Sequence, residues 1–120
     1  MKSIKKVLVV ERKHCAIEVG SGTLAVFSTP SLAAFMENTA MLAIDDLQEG
    51  FTTVGIEINI QHIKASPIGE TLTAVAHMTS HEGRAYDFEI EVSDSKGSIV
   101  GKATHKRFAV DSQKFMQKLT

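Results

Sequence analysis

The sequence predicts an α+β domain in which one long central helix is wrapped by a curved antiparallel sheet. Two patterns predict it: a largely apolar helical segment, STPSLAAFMENTAMLAI at residues 28–44, and three later segments in which apolar and polar residues alternate. Such alternation is typical of antiparallel strands with one covered face. Because 120 residues that are 43% hydrophobic suffice for one compact core, we expect residues 1–120 to form a single domain.

The apolar helix is predicted to span residues 30–47. Thr29 is a suitable N-cap, Pro30 fits the first turn, and Gly50 follows the predicted end. Apolar residues occupy nearly every side of the helical wheel, so we expect the helix to be buried on all sides.

The alternating segments, at residues 54–60, 72–78 and 86–92, are predicted strands. In the first, Val54, Ile56, Ile58 and Ile60 are expected to share the covered face. Acidic residues alternate with apolar ones in the third, so its other face should meet water. The glycine turns in HEGR and DSKGS predict hairpins, and a last strand is expected at about residues 99–110.

The two ends of the chain carry weaker signals. Residues 6–19 and 23–27 are expected to form one or two less regular strands around a glycine turn at residues 20–22. The C-terminal segment DSQKFMQKLT is typical of a short capped helix.

Composition argues against several classes of partner. The formal net charge is −1 and the basic residues are dispersed, which favours neither a nucleic-acid nor a membrane-surface partner. A single cysteine, Cys15, cannot form an intrachain disulfide, and the apolar run after the N-terminal lysines is too short for a signal peptide. We therefore expect a cytoplasmic protein.

Glu37 is the first polar residue that does not fit its surroundings. It lies within the apolar helix, about 12 Å along the axis from Thr29 at 1.5 Å per residue. A buried carboxylate is costly unless it is paired or hydrogen-bonded, so a catalytic role is one explanation. The alternative is that Glu37 points to solvent or pairs with a lysine of the sheet.

Three further residues allow both structural and functional explanations. His62 is expected to face the helix, as a hydrogen-bonded core residue or as part of a site. Thr29 is either a cap or part of a helix N-terminus that receives a carbonyl oxygen. Gly55 interrupts a β-branched run, which suggests close approach of another group to the backbone.

Other candidate sites have less support. His77 and His81 lie in a strand and turn rather than on one helix face, so their spacing does not support a zinc site, and no metal is predicted. Cys15 and His14 are neighbours on a predicted strand, where adjacent side chains point to opposite faces.

Taken in order, TP at residues 29–30, Glu37 eight positions after Thr29, VG at residues 54–55 and His62 form a recognisable set. With this set the chain resembles the fluoroacetyl-CoA thioesterase-like branch of the hotdog-fold thioesterases, from about Thr29 to Val110. The resemblance implies a hotdog fold and a dimer with acyl-CoA sites at the subunit interface.

The resemblance also implies roles for individual residues. The family's catalytic threonine, glutamate and histidine fall on Thr29, Glu37 and His62, and its substrate-binding glycine and arginine fall on Gly55 and Arg107. No cofactor is implied, because coenzyme A enters as part of the substrate. Upstream of the helix, the fluoroacetyl-specific enzyme has a longer segment with aromatic lid residues. Here the segment is the short GSGTLAVFS, whose side chains are mostly small, so the sequence does not identify the acyl group of the substrate.

The sequence therefore predicts an acyl-CoA thioesterase that hydrolyses a small or medium acyl-CoA to the free acid and coenzyme A. Glu37 would act as nucleophile or as general base, in a site shared with a second copy. We expect a homodimer, and further association of dimers is left open. Two alternatives remain: a non-hydrolytic acyl-CoA binding module and a hotdog enoyl-CoA hydratase. A basic rim for the polyanionic end of coenzyme A is expected from Arg107, Lys64, Lys102 and Lys106.

Overall fold

The computed structural model describes residues 2–120 as a five-stranded sheet with one long helix on its inner face. The strands are β1 (Ser3–Val9), β2 (Phe51–His62), β3 (Thr71–Glu82), β4 (Ala85–Ser93) and β5 (Ile99–Asp111). The helices are α1 (Ala16–Val19), α2 (Thr29–Leu42) and α3 (Ser112–Gln117), with a short 3-10 turn at Arg12–His14.

All strand pairs in the sheet are antiparallel, in the order β1-β3-β4-β5-β2. The four predicted later strands are confirmed, as are the two hairpin turns. Gly83 and Gly97 adopt φ values of +59° and +83° in these turns, which only glycine adopts without strain. The C-terminal helix α3 is confirmed as well, and the Asp111 side chain caps it by accepting from the Lys114 N–H.

Helix α2 begins one residue earlier than predicted, and Thr29 does not cap it. The cap is Ser28, whose hydroxyl accepts from the N–H of Ser31 at 3.1 Å. The helix ends at Leu42 rather than residue 47, after which Ala43 and Ile44 bond to carbonyls only three residues back. The next two residues are aspartates, whose charges oppose a helix C-terminus.

The expectation that α2 is buried on all sides is wrong for a single chain. One side packs on the sheet through buried residues that include Leu32, Phe35 and Met36, and this side forms the core. Met41 and Leu42 are about half exposed on the rest of the helix. The helix therefore presents apolar surface that its own sheet does not cover.

The predicted inner face of β2 is correct for Ile58 and Ile60, which pack against the core, but wrong for Val54 and Ile56, because a β-bulge changes the phase of the strand. Gly55 is opposite Arg107 and Glu57 is opposite Lys106, so Ile56 is the additional residue. Ile56 is accordingly 60% exposed. The bulge brings odd-numbered residues before it and even-numbered residues after it onto the same inner face, which therefore includes both Gly55 and His62.

The segment before α2 contains less strand than predicted. Residues 3–9 form β1, but the 3-10 turn and α1 occupy residues 12–19. Residues 23–27 contribute only isolated bridges, Cys15 to Phe27 and Val26 to Pro67. In residues 2–120 no helix has the length and apolar character needed to cross a membrane.

Candidate active site

Glu37 lies against the inner face of the sheet. Its Oε2 atom is 3.8 Å from Nε2 of His105 and 4.0 Å from Nη1 of Arg107. The side chain retains 37% of its exposure, so the expected deep burial is not observed within one chain. The carboxylate is thus fixed near a cationic group on one side and accessible on the other.

Gly55 leaves room for this carboxylate at its observed position. A methyl group built on Gly55 would lie 2.6 Å from Oε2 of Glu37 and 3.2 Å from Nη1 of Arg107. The group that approaches the backbone closely is therefore the acid of the same chain. Its predicted role in substrate binding stays a prediction.

Arg107 is held in a fixed orientation by the neighbouring strand. Its Nε donates to Oγ1 of Thr53 at 2.9 Å, and its Nη2 donates to the Thr53 carbonyl oxygen at 3.0 Å. The side chain is only 6% exposed. Arg107 therefore lies buried beside Glu37 rather than on an exposed rim, and its predicted role in substrate binding stays a prediction.

His105 is a member of this cluster that the sequence prediction missed. It is 1% exposed on the inner face, and its Nε2 lies 3.1 Å from Nη1 of Arg107. A signal was available, since Ala103, His105, Arg107 and Ala109 alternate with outward-facing residues in β5. Burial is the main cause that lowers the pKa of His105, and Arg107 lowers it further, whereas the Glu57 carbonyl and Glu37 oppose the shift. Burial likewise lowers the pKa of Arg107.

Thr29 and His62 form a second polar pair. Because Ser28 caps the helix, the Thr29 hydroxyl is available and lies 2.8 Å from Nδ1 of His62. Burial lowers the pKa of His62, which favours the neutral imidazole. Its Nε2 atom is buried and has no hydrogen-bond partner in the described part of the chain. The expectation that His62 faces the helix is confirmed.

A pocket of about 310 Å³ adjoins this pair. Its lining residues come from α1, the segment before α2, the first residue of α2, the last residue of β2 and the segment after β2: Ala16, Ser21, Val26, Phe27, Ser28, Thr29, His62, Ile63, Lys64 and Ala65.

One chain does not bring the predicted catalytic residues together. Thr29 and Glu37 are eight residues apart on one straight helix, which is about 12 Å. Gly55 and His62 are separated by roughly 20 Å along the strand at 3.3 Å per residue. The chain thus carries two separate clusters: the acid cluster, formed by Glu37, Gly55, Thr53, His105 and Arg107, and the histidine pair, formed by Thr29 and His62.

The three lysines expected to receive coenzyme A each contact a carboxylate. Lys64 lies 2.5 Å from Asp94, Lys106 lies 3.3 Å from Asp87, and Lys102 lies 3.8 Å from Glu91. These ion pairs reduce the positive charge offered to a polyanion, and the binding role of the lysines stays a prediction.

Comparison with known proteins identifies the family. The family model for the fluoroacetyl-CoA-specific thioesterase matches residues 10–113. The chain belongs to this thioesterase family. It is therefore a thioester hydrolase.

Individual relatives agree with the family assignment. The fluoroacetyl-CoA thioesterase of Streptantibioticus cattleyicolor is 32% identical over 95 residues, which are 78% of this chain and 68% of that protein. A solved structure of a fluoroacetyl-CoA thioesterase superposes with a TM-score of 0.91 at 26% identity, covering 98% of this chain and 92% of the other. A mutant of the fluoroacetyl-CoA-specific thioesterase in complex with fluoroacetate and CoA gives a TM-score of 0.88 at 25% identity, covering 95% and 96%.

The hotdog fold is confirmed by the same comparisons. A Thermus thermophilus thioesterase superfamily member has a TM-score of 0.89 with coverage of 98% and 87%, although its identity of 18% supports the fold alone. The thioesterase family assignment favours hydrolysis over the binding-module and hydratase alternatives.

Proposed function

We propose that this thioester hydrolase cleaves small or medium acyl-CoA thioesters at a site completed by two copies of the chain. The observation that carries this proposal is the accessible Glu37 carboxylate held beside Arg107. Family membership supports acyl-CoA as the substrate class, and a related structure contains fluoroacetate and CoA.

Glu37 is the reacting carboxylate in this proposal. It either attacks the thioester carbonyl to give a mixed anhydride, which water then hydrolyses, or it takes a proton from an attacking water. The leaving group is the thiolate of coenzyme A, which needs a proton. Both routes use only side chains, water and the substrate.

The histidine pair supports the thioester and its leaving group. In the first turn of α2, Pro30 has no N–H and the Ser31 N–H donates to Ser28, so the backbone donor that can stabilise a carbonyl oxygen as it gains negative charge is the N–H of Thr29. Thr29 and its hydrogen bond fix the imidazole of His62. Nε2 of His62 is buried without a hydrogen-bond partner in the described residues, so the imidazole must turn toward the substrate before it can exchange a proton with the thiolate.

Two copies are proposed because the acid cluster and the histidine pair are too far apart in one chain. The carboxylate of one copy would meet the histidine pair of the other across a two-fold axis. In such an arrangement each copy contributes to both sites.

The sheet edges support β2 as the contact between the two copies. β1, at one edge, carries Lys5 and Lys6, and charged lysines discourage strand pairing. β2, at the other edge, is a 12-residue strand in which Glu57 is the one Asp, Glu, Lys or Arg residue. Pairing of β2 with a second β2 would also cover Ile56 and the exposed side of α2. Whether such dimers associate further is left open.

The acyl group proposed here is not restricted to fluoroacetyl. Phe27 is the one aromatic residue in the segment 20–28, and its side chain is buried in the core where it also lines the pocket. The small side chains around the pocket are compatible with short acyl chains. The single buried thiol, Cys15, agrees with the proposed cytoplasmic location.

Release of free thiol from a panel of acyl-CoA substrates tests the reaction. Glu37→Gln should reduce turnover to a small residual rate while circular dichroism and the dimer stay unchanged. An unchanged rate in this variant would remove Glu37 from the mechanism.

A mixed dimer tests the shared site. Glu37→Gln and His62→Ala chains carrying different tags are co-expressed, and the heterodimer is isolated. If each site combines Glu37 of one copy with His62 of the other, one of the two sites is intact and about half of the wild-type rate returns. Sites confined to one chain would leave the heterodimer inactive.

A further inference from the structure

The two ring nitrogens of His105 have different and fixed neighbours. Nδ1 lies 2.8 Å from the carbonyl oxygen of Glu57, at the bulge of β2. Because a carbonyl oxygen only accepts, Nδ1 carries the proton. In the neutral ring Nε2 then has a lone pair, and it accepts from Nη1 of Arg107 at 3.1 Å.

The acceptor provided by His105 completes the fixation of Arg107. The other two guanidinium nitrogens donate to the hydroxyl and the carbonyl oxygen of Thr53. All of these acceptors are neutral, so the hydrogen bonds hold the cation without neutralising its charge. Within residues 2–120, the one carboxylate that pairs with Arg107 is Glu37.

We propose that His105 is a positioning residue for the thioesterase reaction: its Nε2 lone pair fixes the edge of Arg107 that faces Glu37, and so sets the place of the reacting carboxylate. This inference rests on the proposed role of Glu37. His105 itself transfers no proton, since its Nε2 accepts from Arg107, which does not give up its proton.

The geometry gives His105 two separable tasks, one in the fold and one in the site. The Nδ1 proton ties β5 to the bulge of β2, whereas the Nε2 lone pair acts on Arg107. In His105→Asn the amide nitrogen can replace Nδ1 as the donor, but Arg107 loses its acceptor. In His105→Gln the amide oxygen reaches the place of Nε2 and can accept from Arg107, but the bulge carbonyl loses its donor.

Steady-state kinetics of the two variants test the positioning role. We expect His105→Gln to keep most of the kcat and His105→Asn to lose about tenfold to a hundredfold, with little change in KM, because a small misplacement of a reacting group has effects of this size. Equal kcat values, or a loss in both variants that follows their melting temperatures, would overturn the proposal.

Combination with Glu37→Gln separates this inference from the proposed function. If His105 acts through Glu37, His105→Asn lowers the rate in the wild-type background but not the residual rate of Glu37→Gln. An equal additional loss in both backgrounds would overturn the positioning role alone. A fully active Glu37→Gln enzyme would overturn both proposals.

Thr53 provides a second test that does not depend on folding of the histidine variants. Thr53→Val removes the hydroxyl acceptor for Nε of Arg107 and preserves the shape of the side chain, whereas Thr53→Ser retains the hydroxyl. The same positioning mechanism predicts a reduced kcat for Thr53→Val and recovery in Thr53→Ser. A kcat for Thr53→Val equal to wild type would contradict it.

Discussion

The hydroxyl of Thr29 lies 2.8 Å from Nδ1 of His62, at the start of the central helix. This contact exists because the preceding residue, Ser28, performs the capping. The hydroxyl of Ser28 thus stabilises α2, whereas the adjacent hydroxyl of Thr29 belongs to the candidate site.

Variants at these two positions should have opposite effects. Ser28→Ala removes the cap and should lower the free energy of unfolding by about 1 kcal/mol, with kcat largely retained. Thr29→Val keeps the cap and should leave the melting temperature nearly unchanged, but it should reduce kcat because His62 loses its hydrogen bond. Urea unfolding and thiol release measure the two effects; a strongly destabilised Thr29→Val protein would contradict this division.

Gly55→Ala should affect the reaction more than the fold. The added methyl group would meet Oε2 of Glu37, which is the end of a flexible side chain and can move away. We therefore expect a small change in melting temperature and a clear loss of kcat. Gly101→Ala is the matched control, because its methyl group would meet Leu32 of the core at 2.8 Å and should mainly reduce stability.

A lysine at the bulge should separate the two copies. Ile56 is 60% exposed on the edge strand β2, and Ile56→Lys would place charge in the proposed contact. We expect a folded monomer with little thioesterase activity, measured by sedimentation and thiol release. Val9→Lys, at a half-exposed position of the opposite edge, should stay dimeric and active. A fully active Ile56→Lys monomer would contradict the shared site.

Acidification should destabilise the protein in the range where histidine titrates. The folded-state pKa values of His105 and His62 are lowered by burial from their ordinary value of 6.5. Below that value the unfolded chain binds more protons than the folded chain, so the free energy of unfolding falls as the pH falls. Urea unfolding from pH about 7.5 to about 5.5 should show this decrease. His105→Gln should show a smaller decrease, and an identical pH dependence would contradict the assignment.

The strands and helix could be predicted because their periodicity reflects local chemistry. The alternation at residues 86–92 and the capped tail at residue 111 depend on neighbours in sequence, and both predictions were confirmed. The extent of α2 was predicted less well, because the apolar pattern does not mark the helix ends. The helix begins after its cap at Ser28, and it ends before the aspartates that follow residue 44.

The acid cluster was predictable only in part. The inner face of β2 depends on a bulge at Ile56, so a strict two-residue period gave the right phase after the bulge and the wrong phase before it, at Thr53 and Gly55. Arg107 was named through family resemblance, but its contacts with Thr53 and His105 span strands that are distant in sequence. Such contacts depend on the register of β5 against β2, which composition and spacing do not determine.

The unequal protection of the two sheet edges also limits growth of the assembly. In the proposed pairing of two β2 strands, both outer ends of the combined sheet are lysine-bearing β1 strands. Neither end then offers a favourable template for a third chain, so we expect edge-to-edge addition to stop at a closed pair and not to continue into a filament.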